Sequence, residues 1–410
     1  MKKQIITLLL LTFLNTAFAQ WTQKNSMYNY GRHAAVSFSI GDKAYVGLGR
    51  NITNQNLSDF WEYNSITDRW KKVANYPGNG QYSSIAYSLN GKGYVGMGFS
   101  GYDTCTKDIW EYNPQSNTWK KITDFPGQAR YGAFSFVIGD SVFIGGGSYN
   151  NSNDYLYDMW MYVHSTNTWT RVSDFPGWKR NHAVAFSFGN YGYVGSGLQD
   201  STTPRNDFWK YNKNTNTWTA IDPLPGPERA TSSVFIANNK AYIGMGAIYR
   251  LYDFENTNDF YRFNPAKNSW DFSFSAPEKI ISRRYATSFN INNKSYLVSG
   301  YTEEGILSDL WEFDPTEVET LTDVQNPENS KFSIEVYPNP SNGYLKVKAS
   351  NLNMGINNIE ISSTDGKLIS QHSVNTQKET TLDVRTLPAG VYLLKLKTET
   401  GDRIEKFIIE

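Results

Sequence analysis

The amino-acid pattern predicts an all-β protein: a β-propeller of six four-stranded blades closed by its own N-terminal strand, followed by a small antiparallel β-sandwich. Three observations carry this. An Asp-x-aromatic-x-aromatic motif recurs six times, about every fifty residues. Short aromatic runs ending in glycine recur in step with it, and both patterns stop near Pro315. A fixed period of this length marks a repeat architecture, in which each unit buries its apolar face against the next.

The motif copies begin at Asp59, Asp108, Asp158, Asp207, Asp259 and Asp309, with Trp61, Trp110, Trp160, Trp209, Tyr261 and Trp311 as central aromatics. In the first five copies a lone Trp follows: Trp70, Trp119, Trp169, Trp218 and Trp270. Each repeat divides into four strand-like runs separated by turn residues. The first usually follows an Arg and is small and apolar, as in Arg32-His33-Ala34-Ala35-Val36-Ser37-Phe38. The second is aromatic, β-branched and glycine-ended, as in Ala44-Tyr45-Val46-Gly47-Leu48-Gly49 and Gly192-Tyr193-Val194-Gly195-Ser196-Gly197. Their shortness and composition favour strands over helices. The Asp motif is the third run and the lone Trp lies in the fourth. Turns such as Pro77-Gly78, Pro126-Gly127, Pro176-Gly177 and Pro225-Gly226 separate the repeats.

A glycine pair after an aromatic strand, then a spaced Tyr and Trp, resembles the kelch repeat family, although the Gly-Gly pair is mostly loosened here to Gly-x-Gly. The resemblance spans residues 20–315. It implies a propeller with the first strand of each blade innermost around a central channel. The sixth repeat ends at Asp314-Pro315 without its lone Trp, and Gln20-Trp21-Thr22-Gln23-Lys24 looks like the displaced fourth strand, with Trp21 in register with Trp70. Closure of the last blade by this strand would remove the open edges of the ring.

Ahead of it, residues 1–19 read as an export leader: Lys2 and Lys3, an apolar run from Ile5 to Leu14, and the small-x-small site Ala17-Phe18-Ala19. That run is too short to span a bilayer, and no later segment resembles a transmembrane helix. Lys+Arg and Asp+Glu balance at 39 each, so no global field draws nucleic acid or an anionic membrane. Cys105 is the only cysteine, which excludes an intrachain disulfide and a cysteine-clustered metal site. No cofactor and no metal is expected.

Residues 316–331 read as a linker and 332–410 as a second domain with closely spaced strands, an immunoglobulin-like sandwich. Tyr337-Pro338-Asn339-Pro340-Ser341-Asn342-Gly343, Asp365-Gly366-Lys367, Leu387-Pro388-Ala389-Gly390-Val391-Tyr392 and the terminal Lys406-Phe407-Ile408-Ile409 resemble the C-terminal sorting domain of the type IX secretion system. The resemblance implies export through the periplasm to the medium or the outer-membrane surface, with the secretion machinery as a partner.

The residues opening the innermost strands are Arg32, Gln81, Arg130, Arg180, Arg229 and Arg283. At one channel mouth they would form a cationic ring beside His33, Tyr82, Tyr131, Asn181 and Arg284. Guanidinium groups suit carboxylate or phosphate recognition, and the kelch resemblance suggests an acidic peptide or acidic sugar. The competing reading has each Arg pair with a loop carboxylate or carbonyl and fix its blade. The repeated Trp and Tyr read as packing between blades, and the six motif Asp as acceptors for turn amides. Residues Ile248 to Asn258, with Tyr249, Arg250, Tyr252 and Glu255, form a candidate contact loop.

No catalytic motif stands out, so catalytic residues are unknown and the leading expectation is a protein- or glycan-binding module, not an enzyme. Copper oxidase chemistry of the kelch type needs more ligands than His33, His164, His182, His372 and Cys105 offer. The alternative is an acidic-sugar mutarotase or epimerase, resembling exported sialate mutarotases. There Arg would hold the carboxylate while Glu228, His33 or His182 moved a proton.

Overall fold

The computed structural model describes residues 20–315 apart from 28–30, 101–103, 150–153 and 251–252. It also describes residues 333–409 apart from 342, 351–355, 364–367, 377–378 and 399–400. The leader 1–19, the linker 316–331, Tyr252 and Asp365-Gly366-Lys367 lie outside the described residues. Among the described residues there is no helix, and two compact units separate at Pro315/Thr316.

In the unit Trp21–Pro315 each of the first five repeats forms a four-stranded antiparallel meander. The first is Val36–Ile40, Lys43–Gly47, Phe60–Asn64 and Arg69–Val73. Four more follow in chain order, from Ile85–Leu89 through Ser269–Ser275. The sixth contains Thr287–Ile291, Lys294–Thr302 and Gly305–Asp314, and its outer strand is Gln20–Lys24. Alternation along the first strands, as in Phe134, Phe136 and Ile138, sends large apolar side chains into the packing between neighbouring sheets.

The lone Trp of each repeat ties its sheet to the preceding one. Trp119 Nε1 donates to the Ala74 carbonyl at 2.9 Å, Trp218 to Ser173 at 3.1 Å and Trp270 to Asp222 at 2.9 Å. Trp70 does the same to Asn25, just beyond the strand Gln20–Lys24, at 2.7 Å. Trp21 itself is buried at 4% exposure, its ring centroid 5.0 Å from Phe313 and 5.6 Å from Phe260. The strand Tyr hydroxyls are satisfied locally: Tyr63 donates to Asp68, Tyr112 to Asn117 and Tyr211 to Asn216. Those acceptors sit at φ of 51–53° in tight turns, a conformation that Asn and Asp tolerate.

Two hydrogen-bond series link the inner edges of the sheets. In one, a glycine N–H donates to the carbonyl of the residue opening the next sheet. The six bonds run Gly49→Gln81, Gly98→Arg130, Gly147→Arg180, Gly197→Arg229, Gly246→Arg283 and finally Gly300→Arg32, at 2.7–3.0 Å. Glycine is required here. At Gly197, φ is +87° and a Cβ would lie 2.7 Å from the Asn181 carbonyl oxygen.

The unit containing Thr316–Glu410 has a three-stranded sheet (Ser333–Tyr337, Tyr344–Ser350, Glu379–Asp383) and a four-stranded one (Leu368–Thr376, Ile356–Ser363, Gly390–Thr398, Gly401–Ile409). Leu345, Val347 and Leu382 from the first share a core with Ile359, Ile361, Leu394, Leu396 and Phe407 from the second. Asn339 donates to the Lys406 carbonyl and accepts from the Ile408 N–H, so its side chain stands in for a strand along the terminal segment.

Candidate functional site

The motif Asp stands at or next to the third strand, two residues from its aromatic in extended backbone, so their side chains share a face. That spacing lets Trp61 Nε1 donate to Asp59 at 2.7 Å, and the same bond recurs at Trp110–Asp108, Trp160–Asp158, Trp209–Asp207 and Trp311–Asp309. In the fifth repeat the Tyr261 hydroxyl replaces the indole, donating to Asp259 at 2.7 Å. Five of the six carboxylates also receive the arginine that opens their sheet, whereas Asp108, whose sheet opens with Gln81, accepts from the Tyr76 hydroxyl at 3.2 Å. Arg32 pairs with Asp59, Arg130 with Asp158, Arg180 with Asp207, Arg229 with Asp259 and Arg283 with Asp309, all through both terminal nitrogens. The motif Asp therefore serves Arg and Trp, not the turn amides expected of it, because the strand pleat and not a turn sets its direction.

These arginines are 0–1% exposed, and each also donates to a carbonyl of its own sheet, as Arg32 does to Leu48. Their charge is spent inside the sheets in the fixing role described above. Burial would raise the carboxyls of Asp59, Asp158 and Asp259, but the arginine hydrogen bonds and charge more than offset this and hold them below the usual range. Gln81 is likewise buried, donating to the Met97 carbonyl at 2.6 Å and accepting from Thr106.

Two residues beyond each of these positions the chain reaches the centre of the unit. Ala34, Ser83, Gly132, His182, Thr231 and Tyr285 all have φ between 50° and 63°. Their backbones join head to tail, Ala34→Tyr285, Ser83→Ala34, Gly132→Ser83, His182→Gly132 and Tyr285→Thr231, at 2.8–3.2 Å. Left-handed backbone at Tyr and at β-branched Thr is strained, and such strain persists where surrounding contacts over-determine it. These six residues and their successors line an open hollow of about 150 Å³.

The predicted residues His33, Tyr82 and Tyr131 stand against that lining. His33 is 5.8 Å from Tyr285 by ring centroid, Tyr131 is 6.0 Å from His182, and Tyr82 is 6.4 Å from Tyr131. His182 Nε2 shares a hydrogen bond with Ser83 Oγ at 2.9 Å. The Nδ1 atoms of His33 and His182 and Oδ1 of Asn181 are buried with no hydrogen-bond partner among the described residues. Burial pushes both imidazoles down to about 4; Arg50 and Arg284 add to the shift at His33, and His33 adds to it at His182. Both are therefore neutral at pH 7.

Two further arginines stand beside this lining: Arg284, expected there from the sequence, and Arg50, which was not. Arg284 lies over the Tyr301 ring at 4.6 Å and Arg50 over Tyr82 at 5.3 Å. Arg284 donates to the Phe254 carbonyl and Asn256 Oδ1, and Arg50 to the Asn54 carbonyl. Neither has a carboxylate partner among the described residues. Arg284, directly after Arg283, was expected at the channel mouth; Arg50 had no sequence signal.

Glu228 is exposed and paired with Arg205 at 3.7 Å, and it does not line the hollow. The loop Ile248 to Asn258 forms a β-hairpin, Ala247–Arg250 with Asp253–Asn256. Among the described residues no cluster of three His, Cys, Asp or Glu is placed to hold a metal.

Residues 33–246, a little over half of the chain, match the family model of the KLHDC2/KLHL20/DRC7 Kelch-repeats domain. The chain belongs to the Kelch-repeat family. Its Kelch repeats are joined to a second recognisable element, since residues 335–410 match the Secretion system C-terminal sorting domain. That domain directs this Kelch protein to secretion or the outer-membrane surface, and no helix among the described residues is long and apolar enough to cross a membrane. No curated protein matches the chain. The solved structure titled "Structure of YjhT" is similar at a TM-score of 0.60 and 17% identity, over 68% of this chain and 94% of that one, a likeness of fold.

Proposed function

We propose that this secreted Kelch protein is a six-bladed propeller, residues 20–315, that binds an anionic group of a protein or glycan ligand at its central mouth. The sorting domain, residues 332–410, is then an immunoglobulin-like sandwich that engages the type IX secretion machinery, and residues 316–331 link the two. Closure into six blades is supported by the glycine bond series, which returns from Gly300 to Arg32, and by Trp70 reaching Asn25.

One observation carries the binding reading. The five sheet-opening guanidiniums are neutralised by carboxylates, whereas Arg50 and Arg284, beside the hollow, are held by neutral oxygens only among the described residues. Stacked on Tyr82 and Tyr301, they present positive charge next to aromatic faces, which suits a carboxylate or phosphate attached to a ring or apolar stem. The hollow is small against the ~300–1,000 Å³ of an enclosing ligand pocket, so it fits the tip of a larger ligand. Turnover of an acidic sugar is less well supported, because pKa values near 4 make His33 and His182 weak bases and Glu228 does not line the hollow.

The test is to screen residues 20–410 against acidic glycans and acidic peptides, then measure Arg50→Ala and Arg284→Ala on any ligand found. A charge-assisted hydrogen bond is worth about 1.5–3 kcal/mol, so each variant should lose at least about tenfold in affinity. Unchanged binding in both variants would remove the mouth as the site.

A further inference from the structure

We infer that Asn256, on the hairpin after the fifth sheet's second strand, is a positioning residue that aims Arg284 at the mouth while leaving its charge available. This rests on the binding reading above.

The fifth repeat departs from the first four between its second and third strands. Its connection continues as a regular hairpin, with Ala247 opposite Asn256, Ile248 opposite Glu255 and Tyr249 opposite Phe254. The hairpin is anchored by Phe254, which packs on a cluster of Tyr155, Leu198 and Ala230 from the third, fourth and fifth repeats, and on Tyr249 at 5.1 Å. From this anchored element two acceptors reach Arg284 Nη1: the Phe254 carbonyl at 3.3 Å and Asn256 Oδ1 at 3.2 Å. Tyr301 supports the guanidinium from its face. The guanidinium charge reaches His33 nearby and helps to lower that imidazole's pKa, after burial and Arg50.

The choice of an amide at 256 matters because the same unit shows the opposite choice five times. Where Arg32, Arg130, Arg180, Arg229 and Arg283 lock a sheet, the acceptor is an Asp carboxylate and the pair is internally neutral. At Arg284 a side-chain amide gives comparable direction without a counter-charge. Asp at 256 would hold the arginine at least as firmly and cancel the positive charge that an anionic ligand needs. The hairpin thus sets both the aim and the net charge of this half of the mouth.

The experiment uses residues 20–410 and a ring carboxylate as probe: benzoate, with neutral benzamide as the uncharged control, each titrated by ligand-observed NMR. The wild type should prefer benzoate, and Arg284→Ala should abolish that preference. Asn256→Asp should reduce benzoate affinity by about tenfold, a shift of about 1.4 kcal/mol, while leaving benzamide and the melting temperature unchanged. Asn256→Ala, which frees the guanidinium without neutralising it, should lose less. A merely structural Asn256 would leave the benzoate-to-benzamide ratio untouched in all three Asn256 and wild-type comparisons. Two failures are distinguishable. If the wild type shows no preference, or Arg284→Ala keeps it, the anion-binding reading falls and this inference with it. If Arg284→Ala loses the preference but Asn256→Asp retains it, the binding reading stands and the role of Asn256 is overturned.

Discussion

Asp158 receives Arg130 on both carboxylate oxygens, at 2.7 and 2.8 Å, while Trp160 donates to the same carboxylate at 2.8 Å. Arg130 is wholly buried and covers the Phe125 ring at 4.7 Å. Such a pair adds little over an apolar replacement of both partners, yet losing one partner strands a charge. Asp158→Asn should therefore destabilise the chain by about 3–5 kcal/mol in urea unfolding. Gln81→Ala, where the buried group is neutral, should cost less; an equal cost at both positions would contradict this account.

The seam between the first and last strands should be as sensitive. Trp21 fills the space between Phe313, Phe260 and Phe235. Trp21→Ala should destabilise by about 3–5 kcal/mol, the usual cost of removing a large buried aromatic. A loss under about 1 kcal/mol would mean that Gln20–Lys24 is dispensable for the sixth sheet.

Acid should weaken the fold in two windows. His182 has its folded pKa pushed down to about 4, against about 6.5 in an unfolded chain. Its neutral form is favoured by folding, so that stability is complete above pH 6.5 and is lost as pH falls towards 4. Asp59, Asp158 and Asp259 are also depressed, so their contribution is complete above about pH 3.9 and disappears below it. Urea midpoints at pH 7 and pH 5 should fall for the wild type and fall less for His182→Gln. Equal falls would assign the upper window to other groups.

Export should depend on the matched C-terminal segment. A chain ending at Lys331 lacks residues 335–410 and should accumulate in the periplasm, read by fractionation and blotting. Its appearance in the medium would refute the sorting role.

Much of this architecture was written in local pattern. The spacing of Asp59 and Trp61, of Trp70 and Trp119, and of Gly47 and Gly49 repeats because each repeat solves the same packing problem in the same backbone geometry. Periodicity of that kind survives in one dimension, so strands, repeats, the displaced strand at Trp21 and the sorting segment were all legible there.

The destination of the arginines was not legible, because a residue type and a register say nothing about which oxygen lies opposite. Arg283 and Arg284 are adjacent, yet alternation along the backbone turns one inward to Asp309 and leaves the other against Tyr301 and Asn256. Arg50 and Asn256 come to the proposed site on inter-strand connections whose course follows from long-range packing, as with Phe254 against Tyr155 and Leu198. Repetition encodes what every blade shares; the mouth is made where individual loops depart from it, and only folding brings those departures together.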